Sequence, residues 1–358
     1  MVDPLVLVIV LNYNVTKSKD LKEMVEKLIF DLHNTRYDNV IFLLLDNGSG
    51  DNTYNFLKEK VRVINDPRFI VIRSNINLGY SSGNIFGYRF IREILKYQPK
   101  YVIFLNNDIS IRDEFWLSRI ISFLEEKVGE LKSDLLVVQP KLVLIDEPHT
   151  LNGIGFIDMF GFDASMGDLE HDRGQYDSLK YIFYAGGSAL ITTSKAFEEL
   201  GMFDAEYFLQ VEEIDFCWRV WLSGGFVFYL PSVKLGHQSS LTLKTIDGFL
   251  KIFLQERNRL ITMFKNYSLT SLLKYLPCTI FLQMIESIYL LILGKKSGVA
   301  ILFAVLYFLL NLRRYLEKRR YVQKMRKRPD KIIIKIMRPP SIIRLYRKLK
   351  RHRLGIND

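Results

Sequence analysis

Four short apolar runs, rich in Val, Ile and Leu, lie in the first third of this 358-residue chain and constrain its fold more than any other feature. They are 5–11 (LVLVIVL), 40–45 (VIFLLL), 69–72 (FIVI) and 101–105 (YVIFL). Runs this short and this uniformly apolar are typical of strands buried on both faces, as in a parallel sheet. Helix-like segments lie between them, at 18–33, 52–60 and 83–97. The alternation predicts an α/β fold with a mostly parallel central sheet.

Polar side chains follow all four of these predicted strands. The following segments are Asn12-Tyr13-Asn14, residues 46–51 (DNGSGD), residues 75–84 (NINLGYSSGN) and Asn106-Asn107-Asp108. Turn chemistry alone explains any one of these loops, since Asn, Asp, Gly and Ser are common in turns. In an open parallel sheet, however, ligands bind beyond the carboxyl ends of the strands. Four polar loops at one edge therefore predict a binding site there.

The chemistry of these loops is that of a nucleotide site. The carboxylate of Asp46 is suited to accept hydrogen bonds from a base or a ribose. The glycines of residues 79–87 allow the backbone to approach a ligand closely at the start of a helix. Asp108 follows a buried strand, and its oxygens are suited to Mg²⁺ or Mn²⁺. Neither GxGxxG nor GxxxxGK[ST] occurs, so the dinucleotide and P-loop fingerprints are absent.

A second polar cluster lies in residues 207–219 (YFLQVEEIDFCWR), where three carboxylates stand close to aromatic side chains. The carboxylates belong to Glu212, Glu213 and Asp215. Like charges beside apolar rings lose solvation, and their pKa values rise unless a cation or a proton-transfer role compensates. The cluster therefore indicates a functional site rather than an ordinary solvated acidic surface.

The net charge of +11 is concentrated at one end of the chain. From Arg313 to Asp358 there are 18 Lys and Arg against 3 Asp and Glu, a net charge of +15. The preceding 312 residues carry 32 basic and 36 acidic side chains, a net charge of −4. The two cysteines, Cys217 and Cys278, form no zinc or CxxC pattern, which favours a reducing compartment or no disulfide role.

Two strongly apolar segments, 272–293 and 299–312, precede the basic tail. The second is shorter than the roughly 20 residues that span a bilayer comfortably. One interpretation is a helical hairpin or a pair of interfacial helices at a membrane, with the tail binding anionic lipids. The other is an ordinary buried helical pair followed by a solvated basic tail. The segment boundaries predict three parts: 1–266, 267–312 and 313–358.

An ordered set of short motifs resembles a known family. The motifs are LNYN, LDNGSGDNT, NINLGYSSGN, LNND, YAGGSALI, LGMFDAEYFLQVEEIDFCWR, LGH and ERNRL, over about residues 4–262. Together they resemble the inverting family 2 glycosyltransferases, especially the rhamnosyltransferase-like branch that builds cell-surface polysaccharides. The resemblance implies a GT-A (nucleotide-diphospho-sugar transferase) fold. It also implies transfer from a nucleotide-sugar donor to a saccharide or lipid-linked acceptor, with Mg²⁺ or Mn²⁺ as cofactor.

The resemblance assigns roles to individual residues at the sheet edge. It implies that the nucleotide-sugar is bound by Asn12, Asp46, Asn84, Asn107 and Asp108. Asp108 is the last residue of a DxD-like metal motif in which Asn106 takes the first position, so one carboxylate remains. His237, in LGHQSS, matches the family histidine that completes the metal and diphosphate site.

The resemblance also gives the acidic cluster a role. The second carboxylate of the family's acidic pair is the catalytic base, and Glu213 occupies that position, with Glu in place of the usual Asp. An inverting transfer needs such a base to take the proton of the acceptor hydroxyl. Glu212, Asp215 and Gly187 are then expected to bind the acceptor or to orient the base.

Two other functions remain open at this stage. A polyprenyl-phosphate sugar synthase would share the GT-A fold, although the GG, FD and EExD motifs favour a saccharide acceptor. The basic tail is compatible with nucleic acid, but the chain has no RNP, KH or zinc pattern, and we expect no nucleic-acid partner. The expected partners are the donor, the acceptor and a membrane surface, and the expected location is the cytoplasmic face of the cell membrane.

Overall fold

The computed structural model describes residues 3–238 and 247–340, and within them one sheet dominates the architecture. Its strands are β1 (Val6–Asn12), β2 (Val40–Asn47), β3 (Phe69–Ser74), β4 (Tyr101–Asn106), β5 (Ile109–Ser110), β6 (Leu136–Leu144), β7 (Ala189–Thr193) and β8 (Phe226–His237). Their order in the sheet is β3-β2-β1-β4-β7-β6-β8-β5. The first four of these run parallel to one another, β7 runs antiparallel to β4 and β6, and β8 runs parallel to β6.

The four strands that the apolar runs predicted are all present and adjacent. Asn12 at the end of β1 pairs in register with Asp46 of β2, and Leu11 pairs with Asn106 of β4. The polar loops therefore leave the sheet at a common edge. β5 follows this edge directly and pairs with the end of β8, which brings Ile109 opposite His237.

Helices cover the sheet on both faces. They are α1 (Lys19–His33), α2 (Thr53–Ile64), α3 (Gly79–Arg89), α4 (Trp116–Leu131), α5 (Ser194–Glu199), α6 (Glu212–Leu222), α7 (Gly248–Asn266), α8 (Leu269–Ile292), α9 (Lys296–Leu310), α10 (Leu312–Lys324) and α11 (Asp330–Ile334). Alternate residues of β1 enter two cores, with Leu7 and Ile9 in one and Val8 in the other. Buried residues of α1, α2 and α4 line the core of Val8, and those of α3, α5, α6, α7 and α10 line the other.

The third predicted helix, 83–97, begins earlier and ends differently from the prediction. α3 starts at Gly79, because the side chain of Asn47 accepts from the N–H of Leu78 at 3.1 Å and donates to the carbonyl of Gly79 at 3.1 Å. Gly79 has φ +71°, a conformation that favours glycine, so the helix begins inside the glycine-rich segment. It continues as a single π-helical turn over Phe90–Ile94.

The apolar segments near the C-terminus form the predicted helices α8 and α9, which pack closely against each other. Gly298 of α9 lies against the backbone of α8, since a Cβ at this position would come 2.6 Å from the carbonyl oxygen of Ser287. The hydroxyl of Ser287 donates to the carbonyl of Gly298 at 2.7 Å. α8 is long and apolar enough to cross a membrane by length and composition, and about a third (33%) of its most apolar window is buried in the protein.

The predicted boundary at 313 does not match the packing. Tyr315, Val322, Ile333 and Met337 belong to the same apolar core as β1 and α6. Basic and amide side chains of α10 and the segment after it donate to backbone carbonyls: Arg319 to Phe264 and Tyr267, Gln323 to Lys265, Arg326 to Asn266, and Arg328 to Gly224 and Gly225. Residues 313–338 are therefore part of the folded body, and residues 341–358 of the predicted tail lie outside the described residues.

Candidate active site

The carboxyl ends of β1, β2 and β4 bring three predicted binding residues to one edge. Asn107 follows β4 and donates from Nδ2 to Oδ1 of Asn12 at 3.3 Å. Asn12 in turn donates from Nδ2 to the carbonyl of Val10 at 3.0 Å. Asn12, Asn107 and Asp46 are all buried, so they form a polar layer at this edge.

Asp46 is paired with an arginine that the sequence analysis missed. Its Oδ1 accepts from the N–H of Ser49 at 3.1 Å, and Nε of Arg73 lies 3.2 Å from its Oδ2. Arg73 also donates to the carbonyl of Ser49 at 2.9 Å, and its side chain is 47% exposed. Because Asp46 is fully buried, the guanidinium of Arg73 is the part of this pair that faces a ligand. A basic residue beside the end of a predicted strand was the available signal.

Asn84 lies within α3, close to the sheet. It is buried and donates from Nδ2 to the carbonyl of Tyr80 at 3.0 Å. At the neighbouring Gly83, a Cβ would come 2.9 Å from Cδ1 of Leu11, so α3 packs directly on β1. Asn84 is thus held in the first turns of α3, and its contact with a nucleotide stays a prediction.

Asp108 and His237 come together because β5 pairs with β8. Nε2 of His237 lies 3.3 Å from Oδ1 of Asp108, both side chains are buried, and neither atom has a hydrogen-bond partner. Nδ1 of His237 lies 2.7 Å from Oδ1 of Asn152, an acceptor, so the proton of the neutral ring belongs on Nδ1. The ring then presents its Nε2 lone pair toward a carboxylate oxygen. One carboxylate and one imidazole nitrogen are suited to a divalent cation.

The described residues contain no group of three or more His, Cys, Asp or Glu side chains that could hold a metal ion. Asp108 and His237 fit such an ion as two ligands, and the remaining coordination positions need oxygens from a bound substrate or water. This arrangement is typical of Mg²⁺ and Mn²⁺ sites that are completed by substrate phosphates.

Glu212 and Glu213 form the first turn of α6, directly after Val211, which has a left-handed backbone with φ 75°. Oε2 of each carboxyl is buried and has no hydrogen-bond partner. Burial and, as a smaller effect, the negative charge of Asp163 together raise the pKa of Glu213 to about 7. Burial also raises the pKa of Glu212 well above its usual value, and the charge of Glu213 adds to this effect. A carboxylate of this kind is suited to accept a proton near neutral pH.

A wall of aromatic and backbone groups lies beside Glu213, and the sequence analysis missed most of it. The N–H of Ala185 donates to Sγ of Cys217, one turn after Glu213 in α6, at 3.5 Å, which brings residues 184–187 along the start of the helix. The hydroxyl of Tyr184 donates to Oδ1 of Asp163 at 3.0 Å, while Tyr80 donates to the carbonyl of Gly187 at 2.6 Å.

The predicted acceptor segment around Gly187 is open at its centre. A Cβ at Gly186 would meet no atom within 4 Å, so there is room for a ligand against the backbone here. Asp163 is exposed and Tyr184 is partly buried, so a ligand can reach both side chains. Tyr184 is the first residue of the YAGGSALI motif, but the motif gave it no role, and Asp163 lies in none of the motifs. The approach of both residues to Glu213 depends on the fold of residues 151–187.

Asp215 does not face this opening. Its carboxylate is fully buried and accepts from Arg219 at 3.0 Å, Lys265 at 3.0 Å and Asn266 at 2.8 Å. These cations hold the pKa of Asp215 below its ordinary value although burial acts in the opposite direction. The expectation that Asp215 binds the acceptor is therefore corrected, because its carboxylate is buried and joins α6 to α7. Its expected role in orienting the base stays a prediction. The flanking Phe216 and Trp218 are core residues.

The comparisons with known proteins point to sugar transferases. Residues 7–130 match the model of the family Glycosyl transferase family 2. The chain is 25% identical over 195 residues to the low-salt glycan biosynthesis hexosyltransferase Agl10 of Haloferax volcanii. That match covers 53% of this chain and 58% of the relative, so the chain spans little more than half of the relative's length.

Two solved structures are similar to this chain over part of its length, and both are named as enzymes or complexes with sugar ligands. The mannosyltransferase PcManGT of Pyrobaculum calidifontis, solved with GDP-Man and Mn²⁺, is 14% identical, with a TM-score of 0.49 over 90% of this chain and 86% of that one. GalNAc-T7, solved with UDP, GalNAc and Mn²⁺, is 12% identical, with a TM-score of 0.49 over 70% of this chain and 48% of that one.

The strand order and the helices of the structure confirm the expected α/β fold, with a mostly parallel central sheet followed by apolar C-terminal helices. The match of residues 7–130 covers β1 to β4 and therefore the edge at which Asn12, Asp46 and Asp108 meet. This part of the chain is therefore similar to glycosyl transferase family 2 domains.

Proposed function

We propose that this chain is an inverting glycosyltransferase that moves a sugar from a nucleotide-diphosphate sugar to a saccharide or lipid-linked saccharide. The observation that carries the proposal is Glu213, whose unpartnered Oε2 lies at the start of α6 and whose pKa is raised to about 7. The family 2 match over residues 7–130 supports the nucleotide-sugar side. The hexosyltransferase name of the Haloferax relative supports sugar transfer as the reaction.

The proposed reaction is a single displacement. Glu213 takes the proton of an acceptor hydroxyl, and the oxygen forms a bond to the anomeric carbon of the donor sugar. On the opposite side, the bond between that carbon and the diphosphate oxygen breaks, and its electron pair leaves with the nucleoside diphosphate. The configuration at the anomeric carbon is thereby inverted. Burial and the charge of Glu213 raise the pKa of the neighbouring Glu212 well above its usual value, and Glu213 is the carboxylate that we assign as the base.

Asp108 and His237 are the proposed ligands of a divalent cation on the donor side. When bound, Mg²⁺ or Mn²⁺ at this position would offset negative charge on the leaving diphosphate. Asn152 fixes the imidazole of His237 through Nδ1, which directs Nε2 toward Asp108. Asn12, Asn107, Asp46 and Asn84 are the proposed nucleotide-side residues, and Arg73 joins them as the exposed cation of the edge.

The charges around Glu213 favour a hydroxyl acceptor over a phosphate acceptor. Among the described residues, the charges that raise the pKa values of Glu212 and Glu213 are carboxylates. A phosphate entering beside Glu213 and Asp163 would meet like charge, whereas a sugar hydroxyl would find acceptors in those carboxylates. The polyprenyl-phosphate synthase is for this reason the second candidate.

Glu213→Gln tests the proposal. The substitution removes the base and keeps the shape, so we expect kcat to fall about 10²-fold or more while nucleotide affinity changes little. The assay is nucleoside diphosphate release with Mn²⁺ from UDP-glucose, GDP-mannose and dTDP-rhamnose, the last testing the rhamnosyltransferase-like branch. Glu59→Gln, at an exposed position on α2, is the matched control. Full activity of Glu213→Gln would reject Glu213 as the base, and transfer to polyprenyl phosphate alone would establish the second candidate.

We further propose that α8 and α9 bind a membrane surface. The buried face of α8 is largely polar and includes Thr279, Gln283, Glu286 and Ser287. Its exposed side chains are mostly apolar: Leu269, Leu273, Phe281, Ile285, Ile288, Leu291 and Ile292. α9 exposes Phe303, Leu306 and Leu310 beside them. Exposed apolar surface of this extent on two adjacent helices is typical of a membrane or protein interface.

The membrane is the occupant that this surface fits. The polar face of α8 packs against the protein body, where Gln283 donates to Oε2 of Glu256 on α7 at 2.7 Å. The apolar face of α8 therefore points outward, and we propose that it lies on the membrane surface. Exposed basic residues of α10, Arg313, Arg320 and Lys324, follow directly and would attract anionic lipids. The cytoplasmic face of the cell membrane is the proposed location, because a chain on that side would have access to both anionic lipids and nucleotide-sugars.

A further inference from the structure

The backbone that precedes Glu212 and Glu213 is strained. Residues 204–211, here called the base loop, contain three non-glycine residues with left-handed φ: Phe208 at 62°, Gln210 at 72° and Val211 at 75°. This region is costly for residues with a Cβ, and most of all for a β-branched residue such as Val. Such a conformation persists only where surrounding groups hold it in place. The groups that hold the base loop therefore decide where Glu213 points.

α7 supplies the first set of contacts to the base loop. Nδ2 of the buried Asn258 lies 3.1 Å from the carbonyl oxygen of Tyr207, 3.0 Å from that of Leu209 and 2.8 Å from that of Gln210. Arg257 donates to the carbonyl of Glu206 at 2.8 Å. The middle of the loop is thus fixed through its backbone.

α10 supplies the second set, and it acts on the loop's carboxylates. Nζ of Lys318 lies 2.5 Å from Oδ1 of Asp204 and 2.8 Å from Oε2 of Glu206. Tyr315 donates to Oε1 of Glu206 at 3.2 Å. Asp204 is also bound by Lys265, at 2.7 Å, and that same Lys265 binds Asp215 of α6 at 3.0 Å. One chain of ion pairs therefore runs from α10 through the base loop to the helix that carries Glu213.

The base loop also touches the donor side. The carbonyl of Phe208 accepts from the N–H of Tyr80 at 2.6 Å and from that of Ser81 at 3.3 Å, at the start of α3. A Cβ at Gly79 would come 2.3 Å from the same carbonyl oxygen, so no room remains for the loop to move closer to α3. The base loop is therefore in direct contact with the start of α3, the helix that carries the proposed nucleotide residue Asn84.

We propose that Lys318 is a positioning residue for Glu213, acting from α10 through Asp204 and Glu206 of the base loop. This inference rests on the proposed function, in which Glu213 is the base. α10 follows α9 after a bend of 72°, and the outer side of α9 is the proposed membrane surface. Lys318 thereby joins the helices at the membrane to the catalytic base.

The test compares two Lys→Met substitutions in the full chain. Lys318→Met removes the contact, whereas Lys19→Met removes one positive charge from an exposed position of α1. We expect kcat for nucleoside diphosphate release, measured with Mn²⁺ and the most reactive of UDP-glucose, GDP-mannose and dTDP-rhamnose, to fall about 10-fold in Lys318→Met. The KM for that donor should change by no more than about twofold, because Lys318 makes no contact with the proposed nucleotide residues at the carboxyl ends of β1, β2 and β4. Lys318→Arg should recover most of kcat.

The controls separate this inference from the proposed function. If the unsubstituted chain releases no nucleoside diphosphate from any donor, the proposed function fails. If the unsubstituted chain is active and Lys318→Met matches Lys19→Met in kcat, the positioning role is wrong. A parallel loss of donor affinity, or no recovery by Lys318→Arg, would also overturn it. Should Lys318→Met fail to fold, Glu206→Gln removes the carboxylate at the other end of the contact and must give the same pattern.

Discussion

Nε2 of His237 and Oδ1 of Asp108 lie 3.3 Å apart at the end of the sheet, and neither has a hydrogen-bond partner. A lone pair facing a carboxylate oxygen at this distance is repulsive unless a cation or a proton lies between them. Strand pairing brings the two residues together, since β5 places Ile109 opposite His237 and Asp108 directly precedes β5. The contact of Nδ1 of His237 with Asn152 then orients the ring.

The first prediction concerns this pair. Asp108→Ala should weaken Mn²⁺-dependent binding of UDP or GDP about 10-fold or more, because it removes the carboxylate of the site. Isothermal titration with and without Mn²⁺ measures the difference. His171→Ala, at an exposed position, is the matched control for a surface histidine, and His237→Ala should behave like Asp108→Ala. Unchanged affinity in Asp108→Ala would show that the cation binds elsewhere.

The second prediction concerns pH. Because the pKa of Glu213 is about 7, the base is protonated in acid and kcat should rise as pH increases through about 7. Asp163→Asn removes the nearby negative charge that helps to raise this pKa, so the rising limb should shift to lower pH. The measurement is kcat from pH 5.5 to 8.5 for both proteins. If kcat rises at the same pH in Asp163→Asn as in the unsubstituted chain, the charge of Asp163 does not raise the pKa of Glu213.

The third prediction concerns truncation. A chain that ends at Asn266 lacks the side chains of Arg319, Gln323 and Arg326, which cover the carbonyls at the end of α7. It also leaves the apolar core without Tyr315 and Val322. We expect this chain to aggregate or to melt at least 10 °C lower than the full chain, since several buried groups lose their partners at once.

Thermal unfolding followed by circular dichroism measures the effect of truncation. A chain that ends after Pro340 keeps all of these contacts and serves as the control. A soluble 1–266 fragment that melts like the 1–340 chain would restore the boundaries expected from the sequence.

The fourth prediction concerns the membrane surface. Replacing Phe281, Ile285 and Ile288 together by Ser should reduce binding to phosphatidylglycerol-containing liposomes by at least 10-fold, since each apolar side chain contributes about 1.5–3 kcal/mol when fully buried. Co-sedimentation at low salt measures the bound fraction. Phe115→Ser, an exposed phenylalanine remote in sequence from α8, is the control. Equal binding by both proteins would contradict the proposed surface.

Much of the sheet could be predicted from the sequence because its strands are buried on both faces. Uniform apolar runs such as VIFLLL are typical of buried parallel strands and fit few other structures. The polar residues that follow them then lie at one edge of the sheet, because the carboxyl ends of parallel strands lie at the same edge. Asp108 was identified for the same reason, since it follows an apolar run, whereas His237 was identified only through the family resemblance of LGHQSS. Helix α3 was placed four residues late because its first turn is fixed by Asn47, a residue distant in sequence.

The roles of charged residues near the C-terminus could not be predicted in the same way. In the sequence, Lys318, Arg319 and Arg326 look like members of a solvated basic tail. In the structure, their charges meet carboxylates and backbone carbonyls that lie more than fifty residues away. The same holds for Asp215, which is indistinguishable in sequence from its acidic neighbours but is held by Lys265 and Asn266. Only tertiary contacts separate these residues from their neighbours.

The placement of α10 has a consequence for biosynthesis. During synthesis, β1, β2 and β4 emerge from the ribosome early and can pair as soon as they emerge. The base loop gains its contact with Lys318 only after α10 has also emerged. A nascent chain, or one clipped by a protease within α9, would carry an assembled nucleotide edge with an unsupported base loop. We therefore expect the proposed sugar transfer to begin only after α10 has emerged, and thus after the apolar helices α8 and α9 that precede it.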